Sequence, residues 1–350
     1  MASLFDGIFS RQKERVSKDQ ETKNSKNVSP QTLPIPQVRI VFMGTPSLAA
    51  TLLEALVREK YQVVGVVTQT DKPVGRKQEQ KPSAVKEVAL RYSLSLEQPG
   101  KLDTEAIKKI RDWKPDLLVV AAYGKILPEE LLKIPGLGCV NVHPSLLPRW
   151  RGASPIQNAL LAGDTETGVT LMLMDKGMDT GDIISQEKIS IETTDTQEVL
   201  REKVAQTGEK LLLETLPLWV KQKITPTPQG KEGATLCQLI EREDGHILFT
   251  NSAESIYNRY RALYPWPGIF AFWKKNYSLQ RIKLEKISYQ EHSPEIAHTQ
   301  GEVFEIGGQV AIQTGQGVIF IEEIKPEGKS QMLSTDFVRG NQDFIGTHLK

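Results

Sequence analysis

The chain has 350 residues, 39% hydrophobic and 25% charged, with a formal net charge of +1: room for two domains with sizeable cores and an ordinary globular balance. Overall charge therefore advertises neither nucleic acid nor membrane, and no apolar run reaches the ~18 residues of a span. Cys139 and Cys237, the only cysteines, make no disulfide framework or zinc site, which fits a reducing cytoplasm.

Residues 10–37 are polar and proline-containing and cannot bury a core, so 1–37 reads as a disordered extension without a catalytic role. Leu4, Phe5, Ile8 and Phe9 have helical spacing, but acids are interspersed with the bases and no signal-peptide apolar core is present.

Val38 to Met43 is a short apolar run ending at Gly44-Thr45-Pro46. Leu48, Ala49, Leu52, Leu53, Leu56 and Val57 then recur at helical spacing, and 63–68 is a second apolar strand. Strand, helix, strand opens a parallel α/β sheet. Gly44 lacks the partners of a dinucleotide-binding glycine motif, so a tight strand-to-helix turn accounts for it. Residues 71–82 form a long polar loop with Lys72, Arg76, Lys77 and Lys81 against Asp71 and Glu79. Loops of that length are uncommon unless functional or disordered, and the functional reading is an arm reaching for a polyanion. Helices over 82–92 and 105–113 precede a strand over 116–124 that is apolar on both faces, as parallel strands are.

The next strand, 138–142, delivers Asn141 and His143 at its end. Two residues apart in an extended segment, they share one face. The amide can hydrogen-bond an oxygen that becomes negative, and the imidazole can move a proton near neutral pH. Pro144 and Pro148 then stop regular structure, leaving a rigid loop where open α/β sheets place ligands. A helix over 153–162 and a strand over 167–174 lead into a loop from Asp175 to Asp182. Its spacing does not match a calcium loop. One of its aspartates is expected to face His143, where a carboxylate fixes the tautomer and favours the imidazolium. The spacing alone leaves Asp175, Asp179 and Asp182 equally open.

Pro226, Pro228, Gly230 and Gly233 mark a linker over 227–250. A helix follows through Leu263, with Ser252 as its cap. Short strands over 269–273, 279–287, 301–306, 309–313 and 318–324 then make a small barrel. Residues 258–286 hold Arg259, Arg261, Lys274, Lys275, Arg281, Lys283 and Lys286 against one acid, Glu285. Eight aromatic residues from Tyr257 to Tyr277 interleave with them. Positive charge for phosphates beside aromatic surface is a nucleic-acid footprint.

Asn141-Val142-His143-Pro144-Ser145-Leu146-Leu147-Pro148, followed 36 residues after the histidine by Asp179-Thr180-Gly181, resembles the formyltransferases that use 10-formyltetrahydrofolate. Phe42-Met43-Gly44-Thr45-Pro46, the run from Ser145 through Arg149-Trp150-Arg151-Gly152 to Gln157, Gly177-Met178-Asp179-Thr180-Gly181-Asp182 and Tyr264-Pro265-Trp266-Pro267 resemble the methionyl-tRNA formyltransferases. The resemblance runs from about residue 38 to the end. It implies an α/β fold: a Rossmann-like parallel-sheet formyltransferase domain over 38–226, then a C-terminal OB-like β-barrel domain over 251–350 that binds tRNA. It implies Asn141, His143 and Asp179 as the catalytic set and Ser145, Leu146, Leu147 and Pro148 as the folate-binding segment. It places Arg76 and Lys77 in an arm that contacts tRNA, although Gly75-Arg76-Lys77-Gln78-Glu79 is less basic than the family's Gly-Arg-Gly-Lys-Lys. Arg259, Arg261, Lys274, Lys275, Arg281 and Lys283 complete the expected tRNA surface.

The activity so implied is transfer of a formyl group from 10-formyltetrahydrofolate, as co-substrate, to the α-amine of methionyl initiator tRNA. No metal is expected. The enzyme is expected to be a cytoplasmic monomer. The competing readings are a formyltransferase acting on a nucleotide-linked amino sugar or other small amine, and an RNA-binding protein with a dead formyltransferase domain.

Overall fold

The computed structural model describes residues 37–74, 79–292 and 297–350. The N-terminal extension, and Arg76 and Lys77 of the expected arm, lie outside those residues. Alternation along the first strand builds the N-terminal half. In β1 (Arg39–Gly44), Ile40 and Phe42 point into one core, and Val41 and Met43 into a second. Helices α1 (Ser47–Arg58) and α6 (Gln197–Val220) cover the first face, and α3 (Thr104–Asp112) and the short α4 (Glu129–Leu132) the second. Leu52, Leu53 and Leu56 of α1 are fully buried, each contributing about 1.5–3 kcal/mol. Asp103 starts α3 by accepting the Ala106 N–H at 3.0 Å, and Ser83 starts α2 (Ala84–Arg91) by accepting the Lys86 N–H at 3.1 Å.

Strands β2 (Gln62–Val67), β5 (Leu96–Glu97), β6 (Leu117–Ala121) and β7 (Cys139–His143) join β1 in parallel. Then β9 (Glu166–Leu173) runs antiparallel to β7, and β10 (Ile183–Ser190) antiparallel to β9. The strand order is β10-β9-β7-β6-β1-β2-β5. The chain steps one way from β1 and then jumps back across it to β6, so the crevice opens at the carboxyl ends of these strands.

Three stretches differ from the sequence expectation. Within the expected loop, β3 (Lys72–Val74) and β4 (Glu79–Lys81) pair as antiparallel strands. The base of the pair is pinned by Thr68 Oγ1 to Ser83 Oγ at 2.7 Å and Lys86 Nζ to Asp71 at 2.6 Å. Lys86 and Gln98, both bonded to Asp71, hold that carboxyl below its usual range. Periodicity is silent on β10 and α6, because the buried face of α6 mixes Leu200, Val204 and Leu212 with Gln197, Gly208 and Thr215. The expected linker is tied down: within it β11 (Leu236–Cys237) pairs in parallel with β8 (Arg151–Gly152).

The C-terminal half begins with α7 (Ala253–Leu263), whose cap is Ser252, accepting the Ser255 N–H at 3.1 Å. Five antiparallel strands follow: β12 (Ile269–Lys275), β13 (Ser278–Gln290), β14 (Val303–Ile306), β15 (Gln309–Gln313) and β16 (Val318–Pro326). They order as β12-β13-β16-β15-β14, with β17 (Met332–Leu333) on β16. The sheet curls around Trp273, Ile282, Leu284, Val310, Ile319 and Ile321, against which Phe337 of α8 (Ser334–Arg339) packs. The last residues of the chain bond to both edges. Lys350 exchanges backbone bonds with Phe272 at 2.7 and 2.9 Å, while Val303 N–H reaches Thr347 and Leu349 N–H reaches Gly301, each at 2.9 Å. Among the described residues no helix is long and apolar enough to cross a membrane.

Candidate active site

Cys139, Asn141 and His143 share one face of β7, and Cys139 sits in the α3–α4 core. That helical cover ends there, with the Cys139 Sγ–H directed at the Leu132 carbonyl 3.8 Å away. Loops cover Asn141 and His143 instead, leaving them 9% and 3% exposed. Burial pushes the Cys139 thiol up to about 12 and raises that of Cys237, so neither is poised as a thiolate.

Of the three candidate aspartates, the structure brings Asp179 to the pair. Its Oδ1 accepts from Asn141 Nδ2 at 3.4 Å, and its Oδ2 stands 3.7 Å from His143 Nδ1. Asp175 is used within its own loop, accepting the Gly177 N–H at 2.9 Å and the Thr180 hydroxyl at 2.8 Å. Asp182 lends its carbonyl to the Leu173 N–H at 2.9 Å. Asp179 takes a left-handed φ of 52°, which disfavours most side chains. Its conformation is held by two donors. Gly152 N–H donates to Oδ2 at 2.8 Å, and Gln229 Nε2 donates to the carbonyls of Asp179 and Gly181 at 2.9 and 2.7 Å. Gln229 is oriented in turn by Arg151, whose Nε and Nη2 donate to its Oε1 at 3.0 and 2.7 Å. Only glycine fits at 152: its φ is 116°, and a Cβ would stand 2.3 Å from the Cys237 carbonyl.

His143 has a second partner that residue types do not announce. Its Nε2 lies 2.9 Å from the backbone carbonyl of Trp150. A carbonyl can only accept, so Nε2 carries the hydrogen and Nδ1 is the nitrogen turned toward Asp179. Sequence reasoning missed the Trp150 carbonyl, the Gly152 N–H and Gln229. The Arg149-Trp150-Arg151-Gly152 run was the only signal, and it does not encode which backbone groups would be used.

The segment 145–148 is a turn braced from behind. Thr170, fully buried, donates to the Ser145 carbonyl at 2.6 Å and accepts the Leu147 N–H at 3.1 Å, while Gln186 donates to the Leu147 carbonyl at 2.9 Å. Ser145 and Leu147 are buried, and the Ser145 hydroxyl is spent on the Arg149 carbonyl at 2.6 Å. Leu146 and Pro148 are half-buried.

The expected basic surface divides. Arg261 is a correction: it lies inside, 5% exposed, at the junction of α7 with the N-terminal half. Its guanidinium donates to the Glu192 and Asp195 carbonyls at 3.1 and 3.0 Å and to Asn258 Oδ1 at 2.6 Å, and burial lowers its pKa. Arg259 donates to the Asp244 carbonyl, and Lys275 donates to Asn341 at 2.6 Å while lying 4.8 Å over the Trp273 ring. Lys274 is exposed. Arg281 and Lys283 stand on the outer face of β12–β13, opposite Phe272 and Phe270. Burial lowers the Lys283 pKa, as do the neighbouring cations Lys325, Arg281 and Arg242. The interleaved aromatics divide too: Phe270 and Trp273 are buried, whereas Trp266 and Tyr277 are exposed.

A parallel sheet whose carboxyl edge gathers an amide, an imidazole and a carboxylate, followed by a curled antiparallel sheet, has a counterpart among known families. The model of the formyl transferase family matches residues 38–216, and that of the formyl transferase C-terminal domain matches 239–342. The chain belongs to the formyl transferase family, within it to the methionyl-tRNA formyltransferases. It is 43% identical over 308 residues to the methionyl-tRNA formyltransferase of Caldicellulosiruptor saccharolyticus, covering 86% of this chain and 96% of that one. With the enzyme of the same name from Desulforamulus reducens it shares 41% identity over 314 residues, 89% of this chain and 98% of the other. Its fold is also similar to the N-formyltransferase of Helicobacter canadensis, solved with folinic acid and dTDP-3-aminofucose. The TM-score is 0.60 at 19% identity, over 81% of this chain and 98% of that one.

Proposed function

We propose that the chain transfers the formyl group of 10-formyltetrahydrofolate to the α-amine of methionine esterified to initiator tRNA, giving N-formylmethionyl-tRNA for translation initiation. The observation that carries this reading is the Asp179 carboxylate lying between Asn141 and His143, in a relative of enzymes named for that reaction. A donor amide, an imidazole and an adjacent carboxylate suit an acyl-type transfer.

Within this reading the attacking amine forms a new C–N bond to the formyl carbon, the bond from that carbon to N10 breaks, and one proton passes from the amine to N10. Asn141 hydrogen-bonds the formyl oxygen as it becomes negative; a donor of this kind is worth about 2.7–4 kcal/mol of barrier. His143 Nε2–H is committed to Trp150, so Nδ1 is the nitrogen that exchanges a proton with the reacting groups. Asp179, 3.7 Å from Nδ1, steadies the positive charge that arrives with it. The turn at 145–148 offers a braced, half-apolar wall at Leu146 and Pro148 for the folate. Lys274, Lys275, Arg281 and Lys283, with Arg259 beside them, provide the positive surface for the tRNA, and Arg76 and Lys77 belong to the arm that meets its acceptor end. On this reading the enzyme acts as a cytoplasmic monomer.

The test is formyl transfer from 10-formyltetrahydrofolate to methionyl initiator tRNA, with methionyl elongator tRNA and a nucleotide-linked amino sugar alongside. Transfer to initiator tRNA alone is the expected result. Transfer to the amino sugar alone would overturn the acceptor, and no transfer to any of them would overturn the reading.

A further inference from the structure

The carbonyl that holds His143 belongs to a residue in an unfavourable conformation. Trp150 has φ = 60°, the left-handed region that a bulky side chain avoids. Such a conformation persists only where surrounding bonds over-determine it. One of those bonds is on the backbone: Trp150 N–H donates to Thr235 Oγ1 at 2.8 Å. The Arg151 N–H, in the same peptide plane as the Trp150 carbonyl, donates to the Thr235 carbonyl at 2.9 Å, and Cys237 Sγ lies 3.6 Å from the Trp150 carbonyl; the indole itself is tied to Asp164. Trp150 Nε1–H donates to Asp164 Oδ2 at 2.8 Å. Arg149 closes on the same carboxylate with two bonds, Nε to Oδ2 at 3.0 Å and Nη2 to Oδ1 at 2.6 Å. Its guanidinium lies 4.4 Å from the Trp150 ring centre, clamping the indole from one face. Asp164 raises the Arg149 pKa, so the clamp stays charged. Asp164 is itself anchored just after α5 (Pro155–Leu161), its N–H bonded to the Ala159 carbonyl at 3.0 Å, and its side chain is 16% exposed.

We propose that Asp164 is a positioning residue: through the Trp150 indole it fixes the carbonyl that orients His143 and sets its tautomer. Asp164 contacts neither His143 nor Asp179. It accepts the Trp150 indole N–H directly and two N–H groups of Arg149, whose guanidinium lies over that indole; together these hold Trp150 where its φ is left-handed, and that φ aims the Trp150 carbonyl at Nε2. If the indole is released, the backbone relaxes toward negative φ and the carbonyl turns away. His143 then keeps only the Asp179 carboxylate at 3.7 Å, which does not tie down Nε2. The ring loses the distinction between its two nitrogens, and Nδ1 is no longer presented in one protonation state.

The kinetic part of this proposal rests on the formyl-transfer reading; the tautomer does not. Two variants test it: Trp150→Phe, which deletes the indole N–H and keeps an aromatic ring for Arg149, and Asp164→Ala. Each is assayed for kcat and for KM toward both substrates. Each is also examined by proton–nitrogen correlation of protein labelled with nitrogen-15 at its five histidines, with His143 assigned from His143→Gln. We expect the neutral wild-type ring to show the Nε2–H tautomer. Both variants should mix the tautomers and lower kcat roughly ten- to a hundred-fold with KM unchanged, the scale of a small misplacement at a reacting centre. A kcat and tautomer both left at wild type would overturn the proposal, whether or not the melting temperature falls. So would a rise in KM for tRNA alone, which would make Arg149 and Asp164 part of the binding surface. If wild type transfers no formyl group, the functional reading fails by itself while the spectra still decide this one.

Discussion

The cleft at the end of β7 and the outer face of β12–β13 are built by opposite means. In the cleft, His143 and Asp179 are held by short bonds to neighbours that are held in turn, Asn141 Nδ2 reaches Asp179 at 3.4 Å, and the chain accepts left-handed backbone at Trp150 and Asp179 to achieve this. On the outer face, Lys274, Arg281 and Lys283 are cations gathered by a pleated surface, with Arg281 5.4 Å from the Phe270 ring. Buried polar groups act over one bond length and tolerate little displacement, whereas surface charge acts over a Debye length and is additive. One region is therefore sensitive to single atoms, and the other to the number of charges.

The largest effect that would sharpen this contrast is in the cleft. Asn141→Ala or His143→Ala should lower kcat about 10²–10³-fold with little change in melting temperature. Near-wild-type turnover in a folded variant, measured in single-turnover formyl transfer, would break the comparison at its root. Next comes Arg261, which carries the same charge as its neighbours but belongs to the interior. Arg261→Met strands the Glu192 and Asp195 carbonyls, each costing about 1–3 kcal/mol. A urea melt should show that loss, and a melt indistinguishable from wild type would return Arg261 to the surface.

Smaller effects belong to the outer face. Lys274→Ala should weaken tRNA binding evenly, lower the salt slope of log K by about 1, and leave kcat at saturating tRNA unchanged. Binding titrations at several salt concentrations check this, and an unchanged slope would remove Lys274 from the contact. The smallest lies at the closure of the curled sheet. There the Thr299 N–H, at 2.9 Å, and His298 Nδ1, at 3.0 Å, hold the Glu302 carboxyl down at about 2. A depressed carboxyl stabilises the fold above its unfolded value near 4.5, and that contribution is lost as pH falls from there toward 2. Glu302→Gln should flatten the melting temperature against pH in that window, and an unaltered acid limb would detach Glu302 from this role.

Much was decided by the sequence alone. Apolar, β-branched runs such as Leu117–Ala121 read as strands buried on both faces, and the two-residue period of a strand puts Asn141 and His143 on one face. Ser252 caps α7 for a reason local to four residues. The quoted motifs carried the family, which the relatives bear out. Other features depended on groups far apart in the chain. Asp175, Asp179 and Asp182 have the same chemistry, and only the return of the 175–182 loop onto β7 separates them. Arg261 reads as one more cation until α7 meets the Glu192–Asp195 carbonyls 66 to 69 residues away. The Trp150 carbonyl and the Gly152 N–H are backbone groups that every such residue possesses, so their roles come from conformation and not from composition. Local patterning dictates which elements form, because it acts through neighbours in the chain; the tertiary structure dictates which polar groups meet, because burial and hydrogen bonding are settled only when distant segments pack.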